Sequence, residues 1–129
     1  MDVWSAAIVD TRRDFEHERD ALLALLAALP DERWTSATSA GQWRVKDIAL
    51  RLLDGDLTGL SAGRDGDPTG LLPDTDSSAQ FAELLAAKNE QWLIATRYLS
   101  ARITRDLLKF STAQVAAWTH AAAFAHRRG

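Results

Sequence analysis

Apolar positions along this chain recur with a helical period. Ile8, Phe15, Leu22, Leu26 and Leu29 line one face of a segment whose other positions include Arg12, Arg13, Glu16, Arg19 and Asp20, which predicts an amphipathic helix of about six turns. Pro30 ends it. The stretch from Asp31 to Gly41 is rich in Ser, Thr and Ala, so it reads as a connection, with Trp34 tucked against the rest of the fold. A second helix follows on the stripe Val45, Ile48, Ala49, Leu52, Leu53 and Leu60, its end blurred by Gly55 and Gly59.

Gly63, Gly66, Pro68, Gly70 and Pro73 then break any regular pattern, and with Asp65, Asp67, Asp74 and Asp76 they predict a long acidic surface loop over 62–78. Ser77 three residues before Gln80 is a capping box that opens a third helix. Phe81, Leu84, Leu85, Trp92, Ala95 and Leu99 form its apolar stripe, interrupted by Lys88. Ser100 offers another N-cap, before Ile103, Leu107, Leu108 and Phe110, and Thr112 is read as a restart for a last helix carrying Val115, Ala116 and Trp118. Residues 119–129 are expected to fray. No segment calls for a strand, so the fold class is all-α: one domain over 1–129, an up-down helical bundle.

Composition narrows the function. The chain has 129 residues and 47% hydrophobic content without an apolar run near the roughly 20 residues of a membrane span, and no basic-then-apolar leader opens it, so a cytoplasmic location is expected. With no cysteine, disulfides, thiolate metal ligands and a cysteine nucleophile on this polypeptide are excluded. A net charge of -3 with interspersed signs argues against nucleic acid and against a charged membrane surface.

One stretch carries more specific information. Gly41-x-Trp43-x-Val45-x-Asp47, then Arg51-Leu52-Leu53-Asp54-Gly55-Asp56, closely resembles the second-helix signature of the mycothiol-dependent maleylpyruvate isomerase family, a branch of the DinB-like metal-binding four-helix bundles. Trp34, the Gly63-Arg64-Asp65-Gly66 loop, Asn89-Glu90-x-Trp92 and the paired leucines 107 and 108 fall in the family's order, and the similarity runs from about Phe15 to about Trp118. The resemblance implies a DinB-like bundle, an open divalent site holding zinc or nickel, and the external thiol mycothiol acting on a small electrophile. It also implies that a metal-binding histidine belongs at position 51 and that further donors lie one turn apart on a later helix. Here position 51 is Arg51, a side chain with no lone pair to offer a cation. The later helix is expected past Gly129, leaving the bundle a helix short, its metal site degenerate and no residue assignable as catalytic.

Other candidates compete with plainer readings. His17 has no donor at i+3 or i+4, and His120 and His126 are six residues apart, on different helix faces; His120 is the weak metal candidate. Arg51 is explained by pairing with Asp47 and Asp54, against the sharper alternative of gripping an anionic ligand. Two calcium-loop-like frames, Asp54-Asp56-Thr58-Gly59-Asp65 and Asp65-Asp67-Thr69-Gly70-Asp76, both lack the bidentate Glu. Trp43, Trp92 and Trp118 are read as core anchors rather than a base-stacking platform. A pocket is expected around Trp43, Asp47, Arg51, Asn89 and Trp92. A bundle a helix short would expose a groove along Leu22, Leu26, Leu52 and Leu84, closed either by a homodimer or by the segment from Thr112 folding back. Three functions follow: a family relative without its metal triad, a metal-dependent and mycothiol-assisted isomerase or transferase, and a non-catalytic helical association module.

Overall fold

The computed structural model describes residues 3–36 and 44–128, with side chains described from 14 to 36 and from 44 to 125. Helix α1 spans Val3–Ala28, α2 is a single turn over Asp31–Trp34, α3 spans Val45–Gly59, α4 Ser78–Thr96 and α5 Ala101–Arg128. A π turn, Leu60–Arg64, extends α3, and a 3-10 turn covers Pro68–Gly70. Among the described residues no strand forms, and no helix is long and apolar enough to cross a membrane.

Cross-helix contacts set the topology. Leu26 and Leu29 of the α1 end meet Arg105, while Glu16 meets His120, so α1 and α5 run antiparallel. Lys46 reaches Arg97, Leu50 reaches Trp92 and Asp54 reaches Lys88, which makes α3 and α4 antiparallel. Asp56 meets Ser111, and Gly63 meets Trp118 further along, so α3 and α5 are parallel. The four long helices therefore alternate in direction, as an up-down bundle requires. α5 packs along both α1 and α3, whereas α4 packs mainly on α3.

The core sits where α1, α3 and α5 converge. Leu26, Ala49, Leu53 and Leu108 are buried around Trp34, which is wholly buried. Trp34 is thus the expected tucked aromatic, but its segment forms a helical turn rather than an irregular connection. Asp31 and Glu32 favour that turn by placing carboxylates at its positive N-terminal end.

Helix starts agree with the sequence signals. Ser77 Oγ accepts the Gln80 N–H at 3.1 Å, while Gln80 Oε1 accepts the N–H of Asp76 at 2.9 Å, one residue outside the cap. Ser100 Oγ accepts the Ile103 N–H at 3.1 Å. The restart at Thr112 does not occur: the Thr112 hydroxyl donates back to the Leu108 carbonyl at 2.7 Å, so it stays inside an unbroken helix. Residues 119–128 continue that helix, and Ala123 is buried. With α5 as a full-length member, the described residues hold four long helices. The groove expected along Leu22, Leu26, Leu52 and Leu84 does not lie open, since Leu26 is buried and the other three are half-buried.

Candidate functional site

The expected pocket lies between α3 and α4. Asp47 and Arg51 of α3 face Ala82, Leu85, Ala86, Asn89, Glu90 and Leu93 of α4, and Arg97 just past its end, across a cleft of about 440 Å³. Helix periodicity explains the set, because positions 82, 86, 89, 93 and 97 share one face of α4 and 47 and 51 one face of α3. Of the residues grouped from the sequence, the cleft brings together Asp47, Arg51 and Asn89. Trp92 is turned away into the α3 backbone, where its Nε1 donates to the Leu50 carbonyl at 2.7 Å. Trp43 lies outside the described residues.

Asp47 organises one end of this cleft. It accepts the Arg44 backbone N–H at 3.2 Å, closing the first turn of α3, and its other oxygen lies 3.6 Å from Arg97 Nε. Both oxygens of a nearly buried carboxylate are therefore engaged. A second hollow, lined by Thr35, Arg44 and Lys46, shares Asp47 and Arg97 with the cleft, and the Lys46 ammonium donates to the Arg97 carbonyl. The cleft itself balances two cations, Arg51 and Arg97, with two carboxylates, Asp47 and Glu90, whereas the hollow sets Arg44, Lys46 and Arg97 against Asp47 alone. On a chain of net charge -3 the hollow is a local reversal of sign, while the lining charges of the cleft cancel. The floor is apolar, formed by Leu85 and Leu93 with the two alanines.

The structure answers the other candidates. His120 Nε2 lies 2.6 Å from Glu16 Oε1, an inter-helix pair between α5 and α1, remote from the α3–α4 cleft. His17 is exposed on α1. The His126 side chain falls outside those described. Among the described residues no three His, Cys, Asp or Glu side chains converge to hold a metal ion.

The first calcium-like frame does not form a loop at all, since Asp54, Asp56 and Thr58 belong to α3. Asp54 faces Lys88 at 3.6 Å, and Lys88 also donates to Thr58 at 3.3 Å; that explains the lone lysine in an otherwise apolar stripe. In the second frame two of the carboxylates, Asp65 and Asp67, already accept bonds within the chain. The Arg64 guanidinium donates to both Asp65 oxygens, holding that carboxyl below the usual carboxylate range. The Thr69 hydroxyl and backbone N–H do the same for Asp67. Gly66, at φ 71°, supplies the left-handed residue that lets this turn fold.

Sequence reasoning missed the most connected polar cluster. Arg19 of α1 donates two hydrogen bonds to Asp56 of α3, at 2.6 and 3.2 Å, and a third to Thr112 of α5 at 3.2 Å. Ser111 adds a 2.6 Å bond to Asp56, and the Arg19 guanidinium stacks over Phe15 at 4.7 Å. All four polar residues are buried. The signal was available: Arg19 falls four residues after Phe15 and three before Leu22, on the apolar stripe and not opposite it. Arg105 was missed as well. It donates to the Leu26 and Leu29 carbonyls at 3.1 and 2.8 Å, pairs with Asp31 at 3.0 Å and lies 4.6 Å above the Trp34 ring. One side chain thus caps the end of α1 and covers the central tryptophan.

No protein-family model matches this chain, and no curated protein and no solved structure matches it.

Proposed function

We propose that the chain is a DinB-like bundle related to the mycothiol-dependent maleylpyruvate isomerases in which the metal function has given way to metal-free binding of a small anionic molecule. The observation that carries this reading is the position of Arg51. It lies where the resembling family places a metal-binding histidine, and it lines a cleft with an apolar floor, next to a hollow with a surplus of cations. A guanidinium there repels a divalent ion and presents a planar fork suited to a carboxylate. Asn89 on the facing helix offers an amide donor to the same ligand.

A zinc or nickel centre working with mycothiol does not fit the residues present. Such a site needs about three neutral or anionic donors around one point. The cleft offers Asp47, already engaged by Arg44 and Arg97, and Glu90. No catalytic step is therefore assigned. Maleate, a short dicarboxylate, is a suitable probe. Calorimetric titration is expected to show binding to the native chain and at least a tenfold loss in Arg51→Gln, about 1.4 kcal/mol. Equal binding by both proteins would overturn the assignment of Arg51.

A further inference from the structure

A second feature of the surface is independent of the cleft. On α5, positions 103, 107, 110, 114, 117, 121 and 124 alternate in steps of four and three, the spacing of a coiled-coil seam. They read Ile, Leu, Phe, Gln, Ala, Ala and Phe, with no charge over about 30 Å of helix. This row lies beside the buried row of Thr104, Leu108 and Ser111. Ile103 remains 45% exposed, Leu107 38%, Phe110 57% and Phe124 56%. Gln114 is held by Arg64 at 2.9 Å, so the polar break in the row is already satisfied within the chain.

We infer that this face of α5 is a two-fold interface with a second copy of the same chain. Area supports a protein partner of this size. Together with Ile94 and Tyr98, which are 65% and 83% exposed at the end of α4 and in the turn leading to α5, Ile103, Leu107 and Phe110 expose on the order of 600 Å² of large side chain, three quarters of the about 800 Å² each partner gives a standard interface. Self-complementarity selects a second copy. In an antiparallel pairing with the dyad beside Leu107, that residue meets its own equivalent, and Ile103 of each copy meets Phe110 of the other, a smaller side chain against a larger one. The same register brings Asp106, at the rim, alongside Lys109 of the second copy, opposite in sign.

The absence of cysteine makes the register directly testable. Sedimentation velocity of the native chain at about 100 µM is expected to give twice the 14.2 kDa of one chain, and Leu107→Glu to give a single chain with an unchanged helical circular dichroism spectrum. Mild oxidation of Leu107→Cys is expected to link two copies through that one residue at least tenfold faster than Leu71→Cys, which lies exposed on the loop. A monomeric native chain, a dimeric Leu107→Glu, or equal cross-linking of the two cysteine variants would each overturn the interface.

Discussion

Arg19→Met is expected to destabilise the bundle by about 3–5 kcal/mol, because it leaves the Asp56 carboxylate buried with no cation beside it. Asp56 would keep the Ser111 hydroxyl, one neutral donor in place of a bidentate guanidinium. The pair ties α1 to α3, and through Thr112 and Ser111 both are tied to α5. Losing it should therefore loosen the convergence of three helices at once. For a domain of this length the loss corresponds to roughly 10–20 °C in Tm. Urea unfolding checks the free energy, and the double variant Arg19→Met with Asp56→Leu supplies the control. Removing both charges takes away the orphan, so the double variant is expected to recover most of the single variant's loss. A single variant within 1 kcal/mol of the native chain would show that the pair is not buried as described.

Trp34→Ala is the second large effect, expected at about 3–5 kcal/mol from lost burial and the cavity left among Leu26, Ala49, Leu53 and Leu108. The indole is wholly buried, and its far face carries the Arg105 guanidinium, so truncation removes the surface on which that cap rests. Among the described residues Trp34 Nε1 has no hydrogen-bond partner. Trp34→Phe deletes that orphaned donor and keeps a ring under Arg105, and it is accordingly expected to cost far less than Trp34→Ala, under about 2 kcal/mol. Thermal unfolding of the two variants side by side reads the difference. Equal losses would mean that refilling the site with a smaller ring recovers nothing, against the cavity account.

The all-α class, the helix starts at Ser77 and Ser100 and the burial of Trp34 were legible because each rests on local rules: a period, a hydroxyl, an aromatic residue in a short polar stretch. The cleft was legible in part for the same reason, since positions 47 and 51, and 89 with its neighbours, share helix faces. What stayed hidden depends on partners distant in the chain. Thr112 looked like a cap because threonine caps helices, yet the same hydroxyl bonds to the Leu108 carbonyl once α5 is continuous. Arg19 reads as one of the polar positions of its helix and Asp56 as part of a calcium-like frame, but each occupies a stripe position and each meets the other 37 residues away. Polar residues on the apolar rows of three different helices, Arg19, Asp56 and Ser111, were the sign that those rows converge on a polar centre. Gly63, read as a loop breaker, instead lets the π turn lie flat on Trp118, where an added Cβ would approach the ring to 2.5 Å.

The claim on which the functional reading depends is that an arginine has displaced metal chemistry from the α3–α4 cleft. Elemental analysis of the purified chain after equilibration with zinc and nickel, beside the Arg51→His variant, tests it most directly. The expected result is less than about 0.1 ion per native chain, and a clear gain in the variant, whose imidazole would share the cleft with Asp47 and Glu90. One zinc or nickel ion held per unmodified chain would contradict it.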